Sequence, residues 1–427
     1  MAAIDLNTNE SAHAALREAH AHLDWLGRAL DMLSLEACAS ADEALERVGE
    51  RLASVRGTAW LLGHSARVAA WREGRWFERA RLDALTGDRP CALLSFDHHA
   101  VFANSAALAI GGISRSTPDP AGGVIQRDPQ GEPTGLLLEA AAFGLWGLAP
   151  EPPETERPAL IGRALDHLWN LGFAEVHDMF SRSWMVPILA DALRTRSMRV
   201  RLFAGMEELD SIARDRDSWE SDALRLAGGK IFIDGTLNSR TAWMLEPYAD
   251  APAGLERGKA LLSTRQIAEA IDRCHNLRIG LAMHAIGDGA VRAGLDAIED
   301  RQQTVRGMPP VRIEHCELID QRDVPRFAEL GVTASVQPCH LLADIEALMT
   351  GVPGRLDRVM PWRDLVRFGL LPGKTLLFGS DVPVVRADPI DSIIAATKRC
   401  RPGGAPIAPE QALPEEVAWA CFRGSDK

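Results

Sequence analysis

Two histidines, His20 and His22, stand two residues apart in the β-prone run ALREAHAH (15–22). Side chains at i and i+2 of a strand leave by the same face, so both imidazoles point one way and can chelate one cation. Alone, a His-x-His pair is weak, because such pairs arise by chance. Three further donors add weight: His284, His315 and Asp381 each close a β-prone run. Histidine nitrogens with a carboxylate suit Zn2+ or a similar divalent transition metal. Lys230, in LAGGKIFIDG, shares a strand face with Phe232 and Asp234 on alternation. An isolated ammonium inside a barrel is costly to bury, so it must be paired, neutralised or chemically changed. Reaction with CO2 to a carbamate would make it an anionic ligand able to bridge two metals. An ion pair with Asp234 is the other resolution, and the residues alone leave both open.

Groups at strand ends need a scaffold that gathers them. Seven short β-prone runs recur: 172–178, 198–205, 228–235, 278–288, 311–316, 331–338 and 374–381. Most intervals hold helical patterns, such as TRQIAEAIDRCHNL and DGAVRAGLDAIEDRQ, with apolar residues at three-to-four spacing. With 15–22 the count is eight, and strand alternating with helix predicts an α/β fold, a (β/α)8 TIM barrel of parallel strands. The chain 1–427 reads as a single barrel, with residues 40–155 as an inserted subdomain or lid after the first strand. That stretch holds two helical patterns, a strand CALLSF (91–96) and the Gly/Pro-rich run 117–135, whose part GGVIQRDPQGEPTG (122–135) is read as turn chemistry because it lacks the context and lysine of a phosphate loop.

Composition narrows the class. No apolar run is long enough to span a membrane, and the N-terminus shows no secretory pattern. Seven scattered cysteines without a CxxC pair fit reduced thiols in a cytoplasm. A net charge of −12 disfavours a broad nucleic-acid footprint; the small-molecule substrate expected as partner follows from the motifs below and not from the charge.

The order of His-x-His, strand-borne lysine, histidine, histidine and aspartate resembles the amidohydrolase superfamily. The stretches EAHAHLDWLG, DHHAVFANSAAL, TPDPAGGVIQRDPQGEPTG, GGKIFIDGTLNSRTAWMLEPYAD, MHAIGDGAVR, RIEHCELID, GVTASVQPCH and FGSDVPV are similar to its amidohydrolase-3 branch, which includes N-substituted formamide deformylase-like enzymes. The resemblance implies one or two divalent metal ions, Zn2+ by expectation, held by His20, His22, carbamylated Lys230, His284, His315 and Asp381. It implies a metal-activated hydroxide attacking an amide, formamide or cyclic amide, with Asp381 relaying the proton. The same stretches offer substrate-contact candidates: His99 on the expected lid, Arg240 as an anion or carbonyl clamp, Asp234 as orienter of the carbamate, and His340 after the seventh strand. Each reads equally well as a structural hydrogen-bonding residue. His98 carries less weight, and His13, His64, His167 and His275 read as surface or packing residues in helices or loops.

The branch usually carries a small β-sandwich built from both ends. With nineteen residues before His20, that sandwich is expected to be missing or vestigial, and uncovered barrel surface would favour a homo-oligomer. Three functional readings follow: an amide hydrolase, a same-fold metal enzyme of another type such as a deaminase or isomerase, and a shortened non-catalytic homologue.

Overall fold

The computed structural model describes residues 16–54, 60–96, 98, 100–120, 123–251 and 254–423. The chain forms two compact units, Met1–Leu26 with Pro158–Lys427, and Gly27–Arg157. The first opens with β1 (Leu16–Ala21). The second carries β2 (Leu33–Ser34), β3 (Leu61–Ala66), β4 (Cys91–Ser95), β5 (Ala100–Ala103), β6 (Gly123–Arg127) and β7 (Pro133–Glu139). The first then resumes with β8 (Phe173–Ser181), β9 (Arg199–Gly205), β10 (Leu224–Phe232), β11 (Gly280–Ala285), β12 (Val311–His315), β13 (Thr333–Val336) and β14 (Leu376–Phe378).

In the first unit the eight strands pair in parallel in the order β1-β8-β9-β10-β11-β12-β13-β14. The ring closes at its mouth, where Asp381 N–H donates to His20 O at 2.7 Å and His22 N–H to Val382 O at 3.0 Å. Each run expected from the sequence forms a strand, and helices such as Thr264–Asn276 and Asp288–Asp300 fill intervals between them. This is the arrangement of a (β/α)8 barrel. The helix Thr264–Asn276 starts at a reciprocal capping box of Ser263 with Gln266 and buries Ile267, Ile271 and Cys274 at i, i+4, i+7. A Cβ on Gly229 of β10 would lie 2.8 Å from Cys274 Sγ, so only glycine lets this helix settle there.

Alternation divides the strands into an apolar and a polar side. Ile231, Leu281, Met283, Ile313, Ala334, Val336, Leu376 and Phe378 pack outward into the main core. Burial of each large apolar side chain contributes about 1.5–3 kcal/mol, so the outer layer holds the barrel together. Lys230, His284, Arg312, Glu314 and Ser335 occupy the intervening positions and are buried as well. The inner side is therefore free to be polar.

The second unit is a sheet ordered β2-β3-β4-β5-β7-β6. Strand β4 sends Cys91 and Leu93 into one core with Trp71, Phe77 and Phe102. Its Ala92 and Leu94 enter another with Ile125, Leu137 and Leu145. Two sequence readings need correction here. The part 122–135 is not turn alone, because it supplies β6 and the start of β7, which pair antiparallel. One turn lies at 128–131, where Asp128 Oδ1 accepts from Gln130 N and Glu132 N and Gly131 takes φ 86°, and Gly123 N–H donates to Pro120 O at 2.9 Å just before β6. His64 lies on β3 rather than in a helix or loop, with Nδ1 2.8 Å from Ser65 Oγ. All seven cysteines are free thiols. Among the described residues no helix is long and apolar enough to cross a membrane.

Candidate metal centre

His20 is placed by β1 and aimed by its neighbours. Its Nδ1 lies 2.7 Å from Glu314 Oε2 of β12. Glu314 is held by Arg312, whose Nη2 donates at 3.0 Å and whose Nε also pairs with it. Arg312 further donates to Ala19 O at 2.6 Å, Ser335 Oγ at 2.5 Å and His177 Nδ1 at 2.7 Å. His177 in turn reaches Glu175 Oε1 at 3.2 Å. Burial pushes the Glu314 carboxyl up, but Arg312 and His20 prevail and hold it well below the ordinary carboxylate range. A charged Glu314 keeps the His20 proton on Nδ1 and leaves Nε2 as an open donor, 3.4 Å from Asp381 Oδ1. Burial, then Lys230, lowers the His20 pKa to about 4, so the ring is neutral and able to ligate at neutral pH.

Asp381 follows β14 and is the hub of the cluster. His22 Nε2 lies 2.9 Å from its Oδ1, and His340 Nε2 lies 3.9 Å from its Oδ2. Its φ of 64° is unusual for a side-chain-bearing residue and turns the carboxylate back towards β1. Gly379 makes that return possible: a Cβ there would lie 2.5 Å from His20 N and 2.7 Å from Glu18 Oε1. Glu18 ties the same seam, accepting from Ser380 N at 2.8 Å, Ser380 Oγ at 2.9 Å and His20 N at 3.0 Å.

His315 is aimed by broken alternation. Arg312 and Glu314 share one face of β12, so a regular strand would send His315 to the other. Instead His315 and Cys316 take φ 71° and 51°. The His315 ring then lies 4.4 Å from that of His284 and 4.9 Å from that of His20, centre to centre. Such backbone costs on the order of 1–3 kcal/mol per residue and persists where surroundings enforce it. His284 ends β11, with Nε2 3.1 Å from Gly235 O and 3.6 Å from Asp234 Oδ1. Burial lowers its pKa to about 3 and takes that of His315 well below the ordinary value. His340 differs. Its Nδ1 lies 3.2 Å from Glu317 Oε1, and this partner outweighs burial to raise it to about 9.

Asp234 accepts from Trp243 N, Ile286 N and Gly287 N at 2.9, 3.0 and 2.8 Å, and makes no ion pair with Lys230. Of the two resolutions open for Lys230, pairing with Asp234 is therefore not the one adopted. Lys230 is 2% exposed, and its Nζ has no hydrogen-bond partner. Its Nζ lies 5.2 Å from the Phe232 ring centre. Burial lowers its pKa to about 8 against the opposing charges of Glu314 and Asp381.

Arg240 is already engaged, by Asp250 at 2.7 and 2.6 Å, Thr350 Oγ1 at 2.8 Å and Leu237 O at 2.6 Å. Four of its five N–H donors are thus committed. His99 lies outside the described residues.

Among the described residues, six buried polar atoms of this cluster have no hydrogen-bond partner: Lys230 Nζ, His315 Nδ1, Glu317 Oε2, Gln337 Oε1, His340 Nε2 and Asp381 Oδ1, the last in ion-pair contact with His22 Nε2. Leaving each unsatisfied costs about 1–3 kcal/mol, a penalty a coordinated cation would remove for His315 Nδ1 and Asp381 Oδ1 but not for the Lys230 ammonium. Donor atoms of His20, His22 and Asp381 lie within 4.8 Å of one another, as do those of His315, His340 and Asp381. Glu317, His340 and Asp344 make a third such group, Asp381 is common to the first two, and Lys230 and His284 fall in none; the donors of His20, His22, His315 and Asp381 therefore fit a divalent ion. Sequence reasoning gave no role to Arg312, Glu314, His177 or Glu317. A charged pair two apart on an otherwise apolar strand, in VRIEH, was the available signal.

A barrel with this polar inner mouth belongs with the metal-assisted hydrolases in architecture. A model of the amidohydrolase family matches residues 4–422, and the chain belongs to that family. It is similar to Protein LONG AFTER FAR-RED 3 of Arabidopsis thaliana, 31% identical over 411 residues covering 91% of this chain and 68% of that one. It is also similar to N-substituted formamide deformylase of Arthrobacter pascens, 27% identical over 424 residues covering 95% and 77%. Among solved structures, an uncharacterized metal-dependent hydrolase from Pyrococcus horikoshii OT3 superimposes with a TM-score of 0.75 at 26% identity, covering 96% of this chain and 79% of that one.

Proposed function

We propose that the chain is a metal-dependent hydrolase that cleaves an amide, formamide or cyclic amide bond. The carrying observation is that Asp381 gathers His20 with His22 in one group and His315 with His340 in another, the donor atoms of each group lying within 4.8 Å of one another. In this reading His20, His22, His284, His315 and Asp381 hold Zn2+ or a similar ion, and Lys230, carboxylated by CO2, joins them. When bound, the ion supplies activated water and polarises the substrate carbonyl. Glu314 fixes the His20 tautomer. Asp381 takes a proton on a carboxylate oxygen and returns it to the leaving nitrogen. His340, oriented by Glu317, contacts the substrate oxygen through Nε2. The relative from Arthrobacter pascens, by its name, acts on N-substituted formamides, which makes N-formyl and N-acyl amines the substrates to screen.

Asp381→Asn keeps shape and an oxygen donor but cannot carry the proton. It should lower kcat by about 10^2- to 10^4-fold while folding normally. Near wild-type turnover by a metal-loaded Asp381→Asn protein would refute the role. The carboxylated lysine is checked in diffraction density from metal-loaded crystals. An unmodified amine at Lys230 would discard that part of the reading.

A further inference from the structure

Strand β8 carries one extra residue at its mouth end. Its pairing with β9 runs Met179 opposite Phe203 and then Ser181 opposite Ala204, so Phe180 is bulged out of register. Phe180 takes φ 75°, a conformation a bulky residue rarely adopts, and its ring is 42% exposed. A bulge of this kind re-aims a side chain at the rim of a barrel. The ring meets Phe232, the last residue of β10, edge to face with centres 5.6 Å apart. Strand β9 lies between them and ends in Gly205. A Cβ at Gly205 would lie 2.8 Å from Phe180 Cε2, so the glycine leaves the space in which the two rings meet. Phe232 is itself 37% exposed, and its centre lies 5.2 Å from that of His284.

A bulky residue held at positive φ is strained, and here the strain turns the ring to the barrel rim beside Phe232. We infer that Phe180 and Phe232 form an aryl subsite, and that the amide taken by this protein carries a planar apolar ring next to the reacting group. The inference rests on the hydrolase reading for what happens to the amide, but the subsite is a binding property and can be measured apart from turnover. Edge-to-face contact with both rings favours a flat partner over a saturated one of equal size.

The test is calorimetric titration of the zinc-loaded full chain with benzamide, cyclohexanecarboxamide and acetamide. Benzamide should bind at least about tenfold more tightly than acetamide and more tightly than cyclohexanecarboxamide. Phe180→Leu and Phe232→Leu keep apolar bulk at partly exposed positions. Each should weaken benzamide by roughly three- to tenfold with little change for acetamide. Benzamide binding no tighter than acetamide to the wild-type protein overturns the proposal without recourse to any variant. Unchanged benzamide affinity in both folded variants overturns it too. If the preference and its loss are found but no amide is turned over, the aryl subsite stands and the hydrolase reading fails.

Discussion

His20 presents Nε2 to the cluster because a charged Glu314 holds the proton on Nδ1, and Glu314 stays charged because Arg312 lies against it. The chain of contacts continues through His177 to Glu175, so this proposed ligand is oriented from deep within the barrel. Glu314→Gln preserves shape but leaves the buried Arg312 guanidinium without its counter-charge. Breaking a buried pair in this way costs about 3–5 kcal/mol, and losing such a ligand-orienting carboxylate lowers metal affinity about 10- to 100-fold. Urea unfolding and zinc competition against a chelating dye would report both. A folded Glu314→Gln protein with wild-type zinc affinity would remove Glu314 from the account.

At the scale of elements, the seam between β1 and the segment after β14 decides whether two distant parts of the chain can share one ion. It depends on Gly379, where any side chain would press on the His20 backbone nitrogen. Gly379→Ala should therefore destabilise the protein by about 1–3 kcal/mol and weaken zinc binding, because the Asp381 N to His20 O bond must lengthen. Thermal melting with and without zinc measures it, and an unaltered zinc response would show the seam to be irrelevant. The eight barrel strands were legible in the sequence because each is a short apolar run ending in polar residues. The ligand candidates were legible for the same reason, standing at those ends. His315 was reachable as a candidate, but its direction was not, since alternation along VRIEH points it outward and only the positive φ brings it in. The pairing of Arg312 with His20's partner, and the meeting of Phe180 with Phe232 across Gly205, depend on strand neighbours far apart in the chain. In Gly27–Arg157 the two-residue β2 and four-residue β5 are too short to show alternation, so most of that sheet was not visible beforehand.

For the whole molecule, the proposed ligands come from His20 near one end of the chain to Asp381 near the other, and no unfolded chain presents them together. An ion bound only by the folded state adds its binding free energy to stability, about 2.7 kcal/mol at a free concentration one hundred times Kd. The barrel and its metal are then one cooperative system, with the outer apolar layer holding the strands and the inner polar cluster completed by the ion. The most direct measurement of that claim is elemental analysis of protein purified without chelator and supplied with zinc. The account predicts about one to two equivalents of zinc per chain, lost on chelation together with thermal stability. Folded protein that retains no zinc or related divalent ion after such loading would contradict it.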